Sequence, residues 1–298
     1  MLRTEWTTVG QLRALVYVPD EPVAALVLVD GSGEGCCDDW GGWVERIAEL
    51  GAVVLTHDRA GCGGSPGNWL TQTLDDRAAE EREALAVLRK HAAVTGPVGL
   101  LGFSQGGWVG MLAAADADFL VSLSGPGVGP AAQERHRIEV DVRAAGLPDE
   151  QVGAALDWID ERTRRLRAGE DPASVLELQQ RHAGQPWYEP ATRYFDTPDM
   201  LGYVARLIDF EPAAVLPDVR CPALALFGAA DPLVPVPAAV AGWVAGWVAG
   251  APRLAGLAVF PGADHGLFVA DPEPGVDRTS QLAPGFLPML GSFLRSVG

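Results

Sequence analysis

The chain has 298 residues, 48% of them apolar and 20% charged, a composition that fits a folded globular protein and excludes intrinsic disorder. Thirty-nine acidic against 22 basic residues give a formal charge of −17, a field that repels a phosphate backbone, so no nucleic-acid partner is expected. The longest apolar runs, residues 24–29 and 222–227, have strand length and fall far short of bilayer thickness, so no membrane partner is expected either.

In chain order, residues 12–18, 25–30, 52–57, 98–103 and 119–124 read as strands. The later ones are almost continuously apolar, as strands covered on both faces should be. Between them, residues 39–50, 74–91 and 105–115 carry helical periodicity. In the second of these Leu74, Ala78, Glu81, Leu85 and Leu88 share one face. Such alternation predicts an α/β fold with a mostly parallel central sheet, helices on its faces and right-handed crossovers.

The rhythm stops at Gly125. Residues 126–215 hold no convincing buried strand, but they carry charged helical stretches at 133–145, 149–168 and 174–181. Trp158, Trp187, Tyr188, Tyr194, Phe195 and Tyr203 all fall there. Unstructured loops rarely run so long, so this segment reads as a helical cap inserted into a core made of residues 1–125 and 216–298. Within it, Arg162, Arg164, Arg165 and Arg167 lie among Glu161, Glu170 and Asp171 and read as one solvated helix face. Alternation resumes with a strand at 222–227, a helix near 237–249, a strand at 258–260 and a last helix from about 281 to 296. Trp243 and Trp247, four apart, share a face that either packs on the sheet or makes an oligomer contact, so a homo-oligomer stays open.

The strongest chemical signal is Gly102-Phe103-Ser104-Gln105-Gly106, a G-x-S-x-G motif directly after a strand and directly before a helix. Glycines flank the serine because a sharp strand-to-helix turn leaves no room for side chains two residues to either side. That turn lifts the hydroxyl above the sheet, at the positive end of the helix dipole.

A serine hydroxyl is a weak nucleophile near neutral pH and needs a base within hydrogen-bond reach. Of five histidines, His265 sits in a turn after the last short strand, in Phe260-Pro-Gly-Ala-Asp-His-Gly266, whereas His57, His91, His136 and His182 read as structural or surface residues. An acid must orient the imidazole, and Asp231 follows the strand at 222–227. Asp264 ranks below it because neighbouring turn side chains usually diverge, and Asp116 and Asp118 are weaker still. Ser104, Asp231, His265 is the chain order of an α/β-hydrolase triad. Two backbone N–H groups must also face the developing oxyanion. Gln105 supplies one, and the loop Asp30-Gly-Ser-Gly-Glu-Gly35 supplies the other through Ser32 or Gly33.

Taken together these residues resemble the α/β-hydrolase superfamily over the whole chain except the cap, in the style of its serine esterase and dienelactone-hydrolase-like branches. His57-Asp-Arg-Ala-Gly-Cys-Gly-Gly-Ser65 looks like the family's D-x-R-G-x-G-x-S stretch, and Ser122-Leu-Ser-Gly-Pro126 is a second match. One departure is Asp30, where the family often has a histidine supporting the oxyanion loop. The resemblance implies a serine hydrolase acting on a small-molecule ester or lactone through an acyl-enzyme. A thioester substrate or acyl transfer with the same residues, and a non-hydrolytic binding or cyclisation role, are the alternatives.

Other patterns carry less. Gly61-Cys-Gly-Gly-Ser65 lacks the spacing and lysine of a phosphate loop, and no metal-ligand spacing occurs, so neither cofactor nor metal is expected. Cys36, Cys37, Cys62 and Cys221 form neither a zinc pattern nor a disulfide framework. The first three are candidates for the pocket mouth. With no basic and hydrophobic leader in residues 1–10, a reduced, cytoplasmic setting is the default expectation. Caps of this kind shape the pocket, so Gly33, Trp158 and Trp187 are its expected lining.

Overall fold

The computed structural model describes residues 2–269, 276 and 278–297. Its strands are β1 (Arg3–Val9), β2 (Leu12–Val18), β3 (Ala24–Val29), β4 (Ala52–His57), β5 (Val98–Phe103), β6 (Leu120–Leu123), β7 (Ala223–Gly228) and β8 (Ala255–Phe260). They form one sheet in the order β1-β2-β4-β3-β5-β6-β7-β8. Only the β1–β2 and β2–β4 pairings are antiparallel; β4 onward pairs in parallel.

The helices of the core are α1 (Trp43–Ala48), α2 (Leu74–Arg89) and α3 (Gln105–Ala113), with α10 (Val236–Gly250) and α11 (Phe286–Ser296) near the C-terminus. Alternation along β3 explains why both faces need cover. Ala25, Val27 and Val29 enter the cluster that includes Leu85 and Leu88 of α2 and Trp243 of α10, whereas Leu26 and Leu28 enter the one that includes Ile47 of α1 and Leu290 of α11. Trp243 is fully buried and its indole N–H donates to the Gly125 carbonyl at 2.9 Å, and Trp247 packs beside it with ring centroids 5.3 Å apart. The shared Trp face of α10 is thus spent on internal packing.

Between β6 and β7 lie α4 (Pro130–Ala144), α5 (Asp149–Arg167), α6 (Pro172–Gln180), α7 (Tyr188–Thr192), α8 (Pro198–Leu207) and α9 (Pro212–Val215). They carry apolar clusters of their own, one around Ile138, Trp158 and Trp187 and another around Val175 and Leu201.

Several boundaries depart from the sequence pattern for local reasons. β1 escapes periodicity because it is an edge strand exposed along most of its length. The helix expected from residue 39 starts at Trp43, since Gly41 and Gly42 both sit at positive φ. The last helix starts at Phe286, after Gly285 at φ 89°, rather than at 281.

At the C-terminal end of β4, the His57 ring meets the Glu81 carboxylate at 3.2 Å, both side chains being nearly inaccessible. Burial opposes the charged imidazolium, but Glu81, its hydrogen bond and the Asp58 carbonyl outweigh it and lift His57 to about 9. A histidine raised in the folded state stabilises fully below its unfolded value near 6.5 and loses that contribution as pH rises through the folded value. Thermal transitions measured from pH 6.5 to 9.5 should therefore fall, with about 3 kcal/mol at stake. Glu81→Gln should flatten that slope.

Candidate active site

Ser104 is the residue at which β5 becomes α3, and its backbone is strained, with φ 54° and ψ −118°. For a residue with a Cβ, positive φ is costly and persists only where the surroundings impose it. They do so here through the two glycines. A Cβ on Gly102 would lie 2.2 Å from the Gly106 carbonyl oxygen, and one on Gly106 would lie 2.4 Å from that of Val29. Ser104 is held from behind as its N–H donates to Leu123 O at 2.8 Å.

Two loops leaving the C-terminal ends of β7 and β8 bring Asp231 to His265. The His265 Nδ1 stands 2.7 Å from Asp231 Oδ2, and the carboxylate is buried. Its other oxygen accepts from the amides of Leu233 at 2.8 Å and Val234 at 3.0 Å, which fixes its direction. The His265 carbonyl accepts the Ser124 hydroxyl at 2.7 Å, and the imidazole packs on Phe103 with centroids 5.1 Å apart. The Ser104 hydroxyl makes no hydrogen bond to the imidazole among the described residues. Asp264 is occupied elsewhere. Its Oδ1 accepts from Gly266 and Phe268 amides at 3.0 Å, and its Oδ2 pairs with Arg278. Asp116 and Asp118 lie at the other end of the sheet, paired with Arg82 and Arg89.

The loop after β3 is held by two arginines, Arg59 of the Asp-x-Arg stretch and Arg77 of α2, whose role in holding it the sequence does not reveal. Buried Arg59 donates to the carbonyls of Gly33 at 2.6 Å and Gly31 at 3.3 Å, with its cation over the Trp69 ring. Buried Arg77, from α2, reaches the Gly31 carbonyl at 3.3 Å and the Asp30 carbonyl at 3.0 Å and pairs with the Asp30 carboxylate. Burial raises the Asp30 carboxyl, and the cations of Arg77 and Arg59 pull against that rise. Asp30 thus replaces a supporting histidine with an ion pair. Arg77 also donates to Gln105 Oε1 at 2.8 Å, the same oxygen that accepts the Tyr203 hydroxyl at 2.7 Å. Through Arg77, this carboxamide ties the loop after β3 to the start of α3 and to helix α8. In a planar trans peptide the carbonyl and the next N–H point opposite ways. Drawing the Gly31 carbonyl toward the arginines therefore turns the Ser32 N–H away from them.

A cavity of about 300 Å³ opens onto this assembly, lined by Ser32, Gly33, Ser104 and Gln105 on the core side. Its aromatic wall is Trp69, Trp108, Tyr194, Phe195 and Tyr203. Asp231 and His265 are not among the lining residues. Trp158 and Trp187, expected to line the pocket, do not. Both pack against His182 in tilted contacts, with centroids 4.9 and 5.3 Å away, inside the helical cluster. An aromatic's presence in a helix does not reveal which face it occupies, and both rings face neighbouring helices. The pocket-mouth reading of the cysteines also fails, because Cys36, Cys37 and Cys62 are absent from the lining. The amide of buried Cys37 instead donates to Asp58 at 2.8 Å, and Asp58 also accepts the Ser65 hydroxyl at 2.8 Å, which accounts for the Asp-x-Arg…Ser pattern structurally.

Among the described residues no helix is long and apolar enough to cross a membrane. The alpha/beta hydrolase family model matches residues 26–278. No curated protein matches the sequence. Among solved structures, a proline iminopeptidase of Mycobacterium smegmatis is 20% identical with a TM-score of 0.59, over 99% of this chain and 98% of that one. An esterase of Pyrococcus furiosus is 14% identical with a TM-score of 0.61, over 99% of this chain and 91% of that one. Est1E of Butyrivibrio proteoclasticus, with ferulic acid bound, is 19% identical with a TM-score of 0.55, over 98% of this chain and 96% of that one. At these identities the likeness is one of fold.

Proposed function

We propose, from the premise that the chain belongs to the alpha/beta hydrolase family, that it is a serine hydrolase cleaving a carboxylic ester or lactone through an acyl-enzyme on Ser104. The observation that carries this reading is the buried Asp231 carboxylate 2.7 Å from His265 Nδ1, on loops beside a strained serine that faces a cavity. Asp231 keeps the proton on Nδ1, which leaves Nε2 free to accept one.

In this mechanism the Ser104 oxygen attacks the substrate carbonyl while its proton passes to His265 Nε2. The tetrahedral oxyanion is held by the N–H groups of Ser32 and Gln105. Collapse expels the alcohol, which takes its proton from His265, and a water activated by the same imidazole then releases the acid. Because the serine–histidine bond is not yet made, it closes on substrate arrival, as apo hydrolase geometry often requires. Ser32 is favoured over Gly33 by the peptide orientation that Arg59 and Arg77 impose. Helices α4 to α8 act as a cap that excludes water and shapes the acyl or alcohol pocket.

A fluorophosphonate probe tests the reading. Labelling should occur, map to Ser104 and vanish after its alanine substitution. An unlabelled, correctly folded protein would favour a non-hydrolytic role on the same scaffold. Turnover of matched ester and thioester pairs then separates an esterase from a thioesterase.

A further inference from the structure

The cavity wall away from Ser104 carries charge, and the charge is unbalanced. Its charged lining residues are Glu134 and Arg137 of α4 and Arg162 of α5. The sequence pattern places Arg162 on a solvated face with Arg164, Arg165 and Arg167. Those three do lie outside, paired with Glu161, Glu170 and Asp209. Arg162, by contrast, is 1% exposed and turned inward. A step of two or three residues rotates a helical side chain by roughly 200–300°, so one helix can aim arginines both ways.

Glu134 is engaged by the two arginines beside it, filling three of the roughly four acceptor sites of a carboxylate. Its Oε1 accepts from Arg137 Nη2 and Arg162 Nη2, each at 3.0 Å, and its Oε2 accepts from Arg137 Nε at 3.0 Å. Arg162 makes one further bond, from Nη1 to Gln179 Oε1 at 3.2 Å. Its Nε–H and the remaining Nη protons have no protein acceptor among the described residues, although a guanidinium carries five donors. Behind the wall, Asp141 is shared between Arg137 and Arg193. The Phe195 ring lies under both guanidinium groups of the wall, at 5.7 and 5.2 Å. Burial disfavours the Arg162 charge, and Arg137 adds to that effect while Glu134 opposes it. Counted with Asp141 and Arg193 behind it, the wall holds three cations against two anions, so in a chain of net charge −17 it is a local reversal of one charge that an anion would complete.

We infer that this wall recognises a carboxylate on the substrate, so that the preferred substrate is an ester bearing a free carboxylate remote from the scissile bond. The inference rests on the serine hydrolase reading above. The carboxylate sits on the open donors of Arg162, with Arg137, whose three nitrogens are engaged by Glu134 and Asp141, adding its positive field, while the ester carbonyl lies at Ser104 and the aromatic wall between them contacts the intervening methylenes.

The test uses p-nitrophenyl hemiesters of dicarboxylic acids of increasing length, each paired with the ester of the uncharged acid of equal chain length. A second arm pairs butyrate esters of ω-hydroxy acids with those of the matching alcohols, which distinguishes a carboxylate on the acyl side from one on the alcohol side. In wild-type protein one arm should show, at one chain length, a kcat/KM preference of at least about tenfold for the charged member. Arg162→Gln should bring that ratio toward one. Glu134→Gln, which removes the competing anion, should raise it; a purely structural role would not move the ratio in opposite directions. Efficient turnover of neutral esters with no preference at any length in either arm overturns this inference and leaves the hydrolase reading intact. Absence of turnover in both members of every pair overturns the two together.

Discussion

Ser104→Ala is expected to lower kcat at least about 10³-fold on any ester the protein turns over, with the thermal transition unchanged. The size follows from the chemistry, because without the hydroxyl no acyl-enzyme forms and only binding and oxyanion stabilisation remain. The unchanged transition follows from the site. The glycines at 102 and 106, whose close backbone contacts demand the turn, are untouched, and alanine keeps the Cβ that Ser104 already holds at positive φ. Steady-state kinetics alongside a melting curve decide the matter. Activity within tenfold of wild type, with a matching melt, would remove Ser104 from the mechanism.

Asp231→Asn is expected to lose on the order of 10³–10⁴-fold in kcat with little change in KM. An amide can present its NH₂ group to Nδ1, which favours the tautomer whose proton sits on Nε2, where the Ser104 proton must go. The two amides of Leu233 and Val234 that now bond Oδ1 would hold the amide oxygen and so direct the NH₂ group at the histidine. Asp264→Asn is the control. Its carboxylate serves the turn amides of Gly266 and Phe268 and the guanidinium of Arg278, so its loss should appear in the melt first and in kcat by less than about tenfold. A larger kcat loss at Asp264 than at Asp231 would reverse the assignment of the acid.

The loop after β3 is fixed by a lattice of hydrogen bonds from residues distant in sequence. Arg59 and Arg77 hold three carbonyls of the β3 loop, and Gln105 ties that loop to α3 and to Tyr203. Under the proposed mechanism, donors held this way need no reorganisation as charge develops on the substrate oxygen. Asp30 takes its place in this lattice through its ion pair with Arg77, a substitution of support rather than of chemistry.

Much of the fold is legible in the sequence because its signals are local. Continuous apolar runs mark β3 to β7, helical periodicity marks α2 and α5, and the glycine pattern around Ser104 reports a turn that only small neighbours permit. The order of Ser104, Asp231 and His265 along the chain singles out an acid and a histidine that the structure holds 2.7 Å apart. β1 stays hidden because an exposed edge strand leaves little alternation, whereas α8, with Leu201, Tyr203 and Leu207 buried, carries a helical pattern that ten residues make too short to stand out. The remainder is settled by contacts between residues distant in sequence. Tyr203 reaches Gln105 across 98 positions and Arg77 reaches Asp30 across 47. A composition count puts Trp158 and Trp187 in a pocket and Arg162 in solvent, whereas packing buries the two tryptophans among helices and turns the arginine into the cavity. Periodicity gives the faces of a helix, but which face meets solvent, a neighbour or a void depends on where the other helices lie, and only tertiary structure carries that information.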